Sequence, residues 1–386
     1  VDYAKAKTMR APEENRFTKT VLSAKLDEPT ELTVLDGGKV LFVERKGAVK
    51  LYDPKTQQTK LAAQIPVYSK FEYGLMGVNV DADFAQNRWV YLYYSHNVAP
   101  DTANRLVRVK FDPAKDTLLM NTEQVIMRVP VKRTDCCHTG GSIAFDKQGN
   151  LYLSTGDDTN PFAQKGYAPL DQRPGRQGWD GQYTSANTND LRGKILRIKV
   201  NADGTYITPD GNLFPKGNPK ARPEIYVMGN RNPYRISVDQ RTGYLYWGEV
   251  GPDAGEDSDK LGPRGHDEVN QARKAGNFGY PLFIADNKPY RNFNFADSTS
   301  GEWFDPTKPV NRSAHNTGLT ELPPAQKAFI WYPYAESKEF PLVGKGGRNA
   351  MAGPVFYTDD HETSKTARCT CLSMDRTGLP RTTRPR

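Results

Sequence analysis

Four short stretches of this 386-residue chain carry residue types that can move a proton or hold a charge. In Cys136-Cys137-His138-Thr139-Gly140-Gly141-Ser142, a histidine stands just before an apolar alternating run. A neutral imidazole there can take a proton from a hydroxyl near neutral pH. The two glycines after it let backbone approach a ligand closely. Against this, a single histidine is usually a satisfied structural residue, and the chain has five. In Gly229-Asn230-Arg231-Asn232-Pro233, Arg231 holds the same position relative to the next run. A guanidinium there can stabilise negative charge on a carbonyl or quinone oxygen, and a surface arginine in a turn reads equally well. Glu249-Val250-Gly251-Pro252-Asp253, with Glu256 and Asp257 after it, is a turn able to aim carbonyl oxygens at a hard cation such as calcium. It lacks the ligand spacing of an EF-hand, and an acidic surface loop is the plainer reading. In His266-Asp267-Glu268-Val269-Asn270, the two acids read as a general acid pair, as a metal site, or more simply as braces for a loop.

The elements that must position these residues follow one repeating pattern: an apolar-alternating strand, a short turn built on Asp and Gly, then a strand rich in Tyr, Leu and Val. It appears at 31–44, around the turn Asp36-Gly37-Gly38, and again at 77–95, 142–155 and 234–250. A poorer copy begins at Gly353-Pro354-Val355-Phe356-Tyr357. Each copy reads as a hairpin, and third strands follow at 48–52, 105–111 and 194–200. Repeated antiparallel units with long connections predict an all-β propeller. A β-sandwich is the rival, but it does not explain the repeats. The long polar stretches 160–190, 253–276 and 286–322 suit a sugar-binding mouth, or for the third, a solvated insertion.

Composition narrows the functional classes. Hydrophobic residues are 37% and charged residues 25%, with 33 Gly and 28 Pro spread along the chain. The net charge is +8, but basic residues alternate with acidic ones and no nucleic-acid motif is present, so nucleic acid is not the expected partner. No apolar stretch approaches a membrane span. The chain starts at Val1, so an export signal is expected to have been removed or left out. Adjacent Cys136 and Cys137 read either as a vicinal disulfide or as two thiols, and with Cys369 and Cys371 they leave the compartment open.

In their order along the chain, these motifs resemble the glucose/sorbosone dehydrogenase family. The resemblance rests on Glu72-Tyr73-Gly74-Leu75-Met76-Gly77, the Asp81-Ala82-Asp83-Phe84 turn, the stretch from His138 to Asp157, and Leu191-Arg192-Gly193-Lys194-Ile195-Leu196-Arg197. It continues through Arg231-Asn232-Pro233, Gly251-Pro252, Asp267-Glu268-Val269-Asn270 and Gly276-Asn277-Phe278-Gly279-Tyr280-Pro281. It covers about residues 16–360. It implies a six-bladed propeller with pyrroloquinoline quinone over the central channel; with four good repeats and one partial copy in the chain, the last blade is expected to be incomplete or disordered. It also implies His138 as base, Glu72 as an orienting group, Arg231 and Asn232 on the quinone oxygens, and Lys345 and Arg348 on the cofactor's carboxylates. The carbonyls of Gly251 and Pro252 would bind calcium. The reaction implied is hydride removal from an aldose sugar or related alcohol, with an external electron acceptor such as a cytochrome, in the periplasm or outside the cell. Glucose-specific members carry Gln where Glu72 stands. A calcium-dependent propeller lactonase and a non-catalytic carbohydrate-binding propeller are the alternatives. Residues 1–360 are expected to form the propeller, and 361–386 an atypical tail, out of frame or disordered.

Overall fold

The first hairpin shows how the sequence makes a blade. In Asp36-Gly37-Gly38, the two glycines take φ of 73° and 76°, the left-handed region that glycine enters without a Cβ penalty. The chain reverses there between the first two strands of the sheet, which pair antiparallel. The computed structural model describes residues 20–133, 136–162, 164–357 and 368–369. Blade one runs in order through β1 (Pro29–Val34), β2 (Val40–Glu44), β3 (Ala48–Asp53) and β4 (Gln58–Gln64). Blade two repeats this with β5 (Leu75–Val80), β6 (Trp89–Ser95), β7 (Asn104–Asp112) and β8 (Thr117–Val129). Blade three orders β9 (Gly140–Phe145), β10 (Leu151–Thr155), β11 (Lys194–Val200) and, past the short edge strand β12 (Tyr206–Ile207), β13 (Ile225–Met228). Blade four uses β14 (Pro233–Val238), β15 (Leu245–Glu249) and β16 (Asp267–Ala272). It is completed only after a long excursion through β17 (Gly276–Asn277), which joins blade three in parallel, and the hairpins β18 (Phe283–Ile284) with β19 (Lys288–Pro289) and β20 (Arg291–Asn294) with β21 (Thr299–Trp303). Its fourth strand is β22 (Ile330–Tyr332).

The core sits between blades. Leu41, Leu51, Leu75, Val90 and Leu92 join blades one and two. Trp247 of blade four is fully buried beside residues of blade three, with the Phe278 ring 4.7 Å away edge-on. Deleting such a ring from a core costs about 3–5 kcal/mol. The innermost strands β1, β5, β9 and β14 lean on one another in turn around a cavity of about 880 Å³. They approach closely enough that a Cβ on Gly77 of β5 would fall 1.9 Å from the carbonyl oxygen of Gly141 on β9.

The fold is an all-β propeller with almost no helix, as the repeats predict. Two expectations are corrected. The described residues build four blades, not six; after β22, the last blade strand, only β23 (Val355–Phe356) pairs with β24 (Arg368–Cys369) among them. Stretch 286–322 is not bare loop, because β19 lies at its start and β20 and β21 form a hairpin within it. The rest of the expected tail lies outside the described residues. No helix among them is long and apolar enough to cross a membrane.

Candidate active site

His138 lies in the loop that leads into β9, and its side chain is 4% exposed. Its Nδ1 is 2.6 Å from Asp157 Oδ1, just past the end of β10. Burial opposes ionisation of Asp157. The neighbouring His138, then Arg231 and the Thr159 hydroxyl, nevertheless hold it below the usual carboxylate range. An ionised carboxylate accepts only, so Nδ1 of the neutral ring carries the proton and Nε2 keeps its lone pair. Thr159 fixes the carboxylate through its backbone N–H to Oδ1 (3.0 Å) and its hydroxyl to Oδ2 (2.7 Å). The loop has no slack, since a Cβ on Gly156 would fall 1.9 Å from the His138 carbonyl oxygen. Glu72, in the loop before β5, accepts the backbone N–H of His138 at 2.6 Å. Its carboxylate lies within 4.8 Å of the sulfurs of Cys136 and Cys137, which are joined as a disulfide.

Arg231 precedes β14 as His138 precedes β9, and it is buried. Its carbonyl accepts the N–H of Asp157 at 2.9 Å, and its Nη1 donates to the Val250 carbonyl at 3.0 Å. Asn232 Oδ1 accepts the N–H of Gly140 at 3.0 Å. His138, Asp157, Arg231 and Val250 thus form one bonded series, and Gly251 is the next residue in the chain. The histidine, the guanidinium and the turn that carries Gly251 therefore gather at one place.

Two partners were missed at the level of sequence. One is Asp157, whose signal in the sequence is the Thr155-Gly156-Asp157 run at a strand end. The other is Glu249, whose Oε2 accepts the N–H groups of Arg231 (2.7 Å) and Asn232 (3.2 Å). Burial pushes Glu249 up to about 7. Burial together with the Glu249 charge pushes Glu268, opposite it in the β15–β16 ladder, up to about 8. The Asn270 amide donates to both, at 3.3 Å and 3.0 Å.

The turn proposed for a cation is held from behind. Asp267 Oδ1 accepts the N–H of Gly251 at 3.1 Å, and Oδ2 accepts that of Ala350 at 2.9 Å. Asp267 is therefore a loop brace, the plainest of its three sequence readings. Arg348 reaches the same place with a fully buried side chain, donating from Nη2 to the Pro252 carbonyl at 2.8 Å. Lys345 does not join it. Its side chain is 73% exposed and stands 3.7 Å from Glu336.

The sequence model of the family described as Glucose / Sorbosone dehydrogenase matches residues 26–320. The chain is 29% identical over 265 residues to the aldose sugar dehydrogenase YliI of Escherichia coli, covering 68% of this chain and 61% of that one. It is 23% identical over 394 residues to quinoprotein glucose dehydrogenase B of Acinetobacter calcoaceticus, covering 91% and 75%. It thus spans about three fifths of the length of the E. coli relative. The solved PQQ-bound form of an aldose sugar dehydrogenase from Streptomyces coelicolor superposes with a TM-score of 0.55 at 22% identity, over 88% of this chain and 74% of that one. At that identity the likeness concerns the fold.

Proposed function

The chain belongs to the glucose/sorbosone dehydrogenase family, and from that premise we propose that it removes a hydride from an aldose or related alcohol with pyrroloquinoline quinone and calcium. The supporting observation is the bonded series from His138 through Asp157 and Arg231 to the turn at Gly251. The residues present fit an anionic, oxygen-rich ligand. Among the described residues the buried hydroxyls of Tyr280 and Tyr290 and the Nε and Nη1 of Arg348 have no hydrogen-bond partner. Tyr280 also feels the charges of both Asp157 and Arg231. The carbonyls of Gly251 and Pro252 are hard oxygen donors of the kind calcium takes.

When bound, the quinone supplies a hydride-accepting carbon, and calcium supplies the Lewis acidity that polarises it. The protein does the rest. His138 Nε2 accepts the substrate's hydroxyl proton, and the ionised Asp157 stabilises the imidazolium that forms. Arg231, with Asn232 and Arg348, holds oxygens of the cofactor. Glu72 fixes the His138 backbone and so the direction of the ring.

The proposal extends to an export compartment, which the disulfide favours, and to an external electron acceptor such as a cytochrome.

Reconstitution with the quinone and calcium, followed by dye reduction with a panel of aldoses, tests the reading. Turnover is expected, and His138→Ala should abolish it while quinone binding persists. Full turnover in that variant removes His138 from the role. Lactone hydrolysis without quinone, or sugar binding without any turnover, would point to the hydrolase or the non-catalytic propeller instead.

A further inference from the structure

Two residues assigned to different tasks in the proposed site are bonded to one another. Arg348 Nη2 donates to the Pro252 carbonyl at 2.8 Å, and Arg348 Nη1 stands 3.5 Å from Asp267 Oδ1. The same carboxylate anchors the N–H groups of Gly251 and Ala350, so the turn and the 348–350 segment hang from one group. The space around this oxygen is filled. A Cβ on Gly265 would fall 1.5 Å from the Pro252 oxygen and 3.1 Å from Arg348 Nη2. The guanidinium lies over the Tyr334 ring, 3.9 Å from its centroid. Its charge is fully buried, yet Nε and Nη1 have no hydrogen-bond partner among the described residues. A buried guanidinium with unspent donors is poised to pair with a carboxylate, which offers two parallel bonds.

We propose that Arg348 and a divalent cation are alternative occupants of the Pro252 carbonyl, so that the cation seats only when an anionic ligand draws the guanidinium away. The inference rests on the functional reading above and adds an order of assembly to it. A calcium ion takes oxygen at roughly 2.3–2.6 Å. Bound to the Pro252 oxygen, it would stand within roughly 5 Å of a like charge in a desolvated place, where repulsion is weakly screened. A polycarboxylate that engages Arg348 removes that repulsion. The coupling is reciprocal, so each ligand tightens the other by the same factor.

Calorimetric titration of the folded, quinone-free chain with calcium chloride tests this, comparing wild type with Arg348→Met and repeating each titration with pyrroloquinoline quinone bound. Arg348→Met should bind calcium roughly tenfold more tightly than wild type without the quinone. Quinone should tighten calcium binding by a similar factor in wild type and by much less in the variant. Arg348→Lys keeps the charge without the planar fork; it should fall between the two, and it serves if the Met variant fails to fold. Calcium affinity equal to or below wild type in whichever variant folds overturns the inference, and so does calcium binding in wild type that ignores the quinone. Both of these leave the dehydrogenase reading standing. Folded chains that bind neither ligand overturn both.

Discussion

Replacing Asp157 by Asn would isolate the charge behind His138 from the geometry that holds it. Asp157 is fully buried. Its Oδ1 takes both His138 Nδ1 (2.6 Å) and the Thr159 N–H (3.0 Å), and its Oδ2 faces the Thr159 hydroxyl (2.7 Å). An Asn carbonyl at the Oδ1 position keeps the two N–H bonds, and its NH₂ can donate to a hydroxyl that rotates to accept. The ring orientation survives and the negative charge is lost. An imidazolium and a carboxylate with charge centres about 4–5 Å apart, at an effective dielectric of about 20, attract by about 3–4 kcal/mol. If the imidazolium is fully formed in the transition state, that is a loss of roughly 200- to 1,000-fold in rate. Dye reduction by the quinone-loaded variant measures it as kcat and kcat/KM. Quinone absorbance and the melting temperature check that binding and fold persist. A loss below tenfold in a chain that still folds and binds the quinone would refute the claim that His138 accumulates the proton.

The buried pair Glu249 and Glu268 predicts a pH dependence of stability. Both keep their proton in the folded chain, up to about 7 and about 8, at pH values where the unfolded carboxyls, near 4.5, have released it. The folded state then binds more protons than the unfolded one, so stability falls as pH rises from about 4.5 to about 8. Glu268→Gln should flatten that fall and raise the melting temperature at pH 8, since Asn270 Oδ1 is free to accept from the new amide; an unchanged melting profile across that range would count against the pair. Gly156→Ala should cost about 1–3 kcal/mol through overpacking and suppress turnover further by displacing His138, whose carbonyl lies 1.9 Å from the new Cβ. Denaturant melts and dye reduction read the two effects separately, and wild-type behaviour in both would show that the loop can yield.

The hairpins were legible because alternation and Asp-Gly turns are local signals. The runs read at 142–155 and 234–250 became β9–β10 and β14–β15, with ends shifted by one or two residues. The fourth strands were not legible. Gln58–Gln64 is largely exposed with a single buried residue, since an outermost strand is hydrogen-bonded to only one neighbour and needs no continuous apolar face. Thr117–Val129 pairs with β7 through two register shifts, which break its alternation. In the site, His138 and Arg231 stood out by their place before a strand. Asp157 and Glu249 did not, because their partners lie 19 and 18 residues away and are reached only by the pairing of strands. Lys345 shows the reverse failure: a basic residue in a glycine-rich segment is a candidate by composition, but nothing in the sequence says which of Lys345 and Arg348 turns inward.

The positions of the site residues share one geometric origin. Glu72 precedes β5, His138 precedes β9 and Arg231 precedes β14, and each of these is the innermost strand of its blade. In blades two, three and four the loop that enters the innermost strand carries one of these residues, and hydrogen bonds join the three loops. The loops are then fastened across blades as well as within them. Glu72 of blade two holds the His138 backbone, Asp157 of blade three holds the Arg231 carbonyl, and Asn232 of blade four holds Gly140. A change in the stacking of two blades therefore moves a proton acceptor relative to a guanidinium. This is why a close-approach glycine such as Gly77 bears on chemistry although it has no side chain to take part in it.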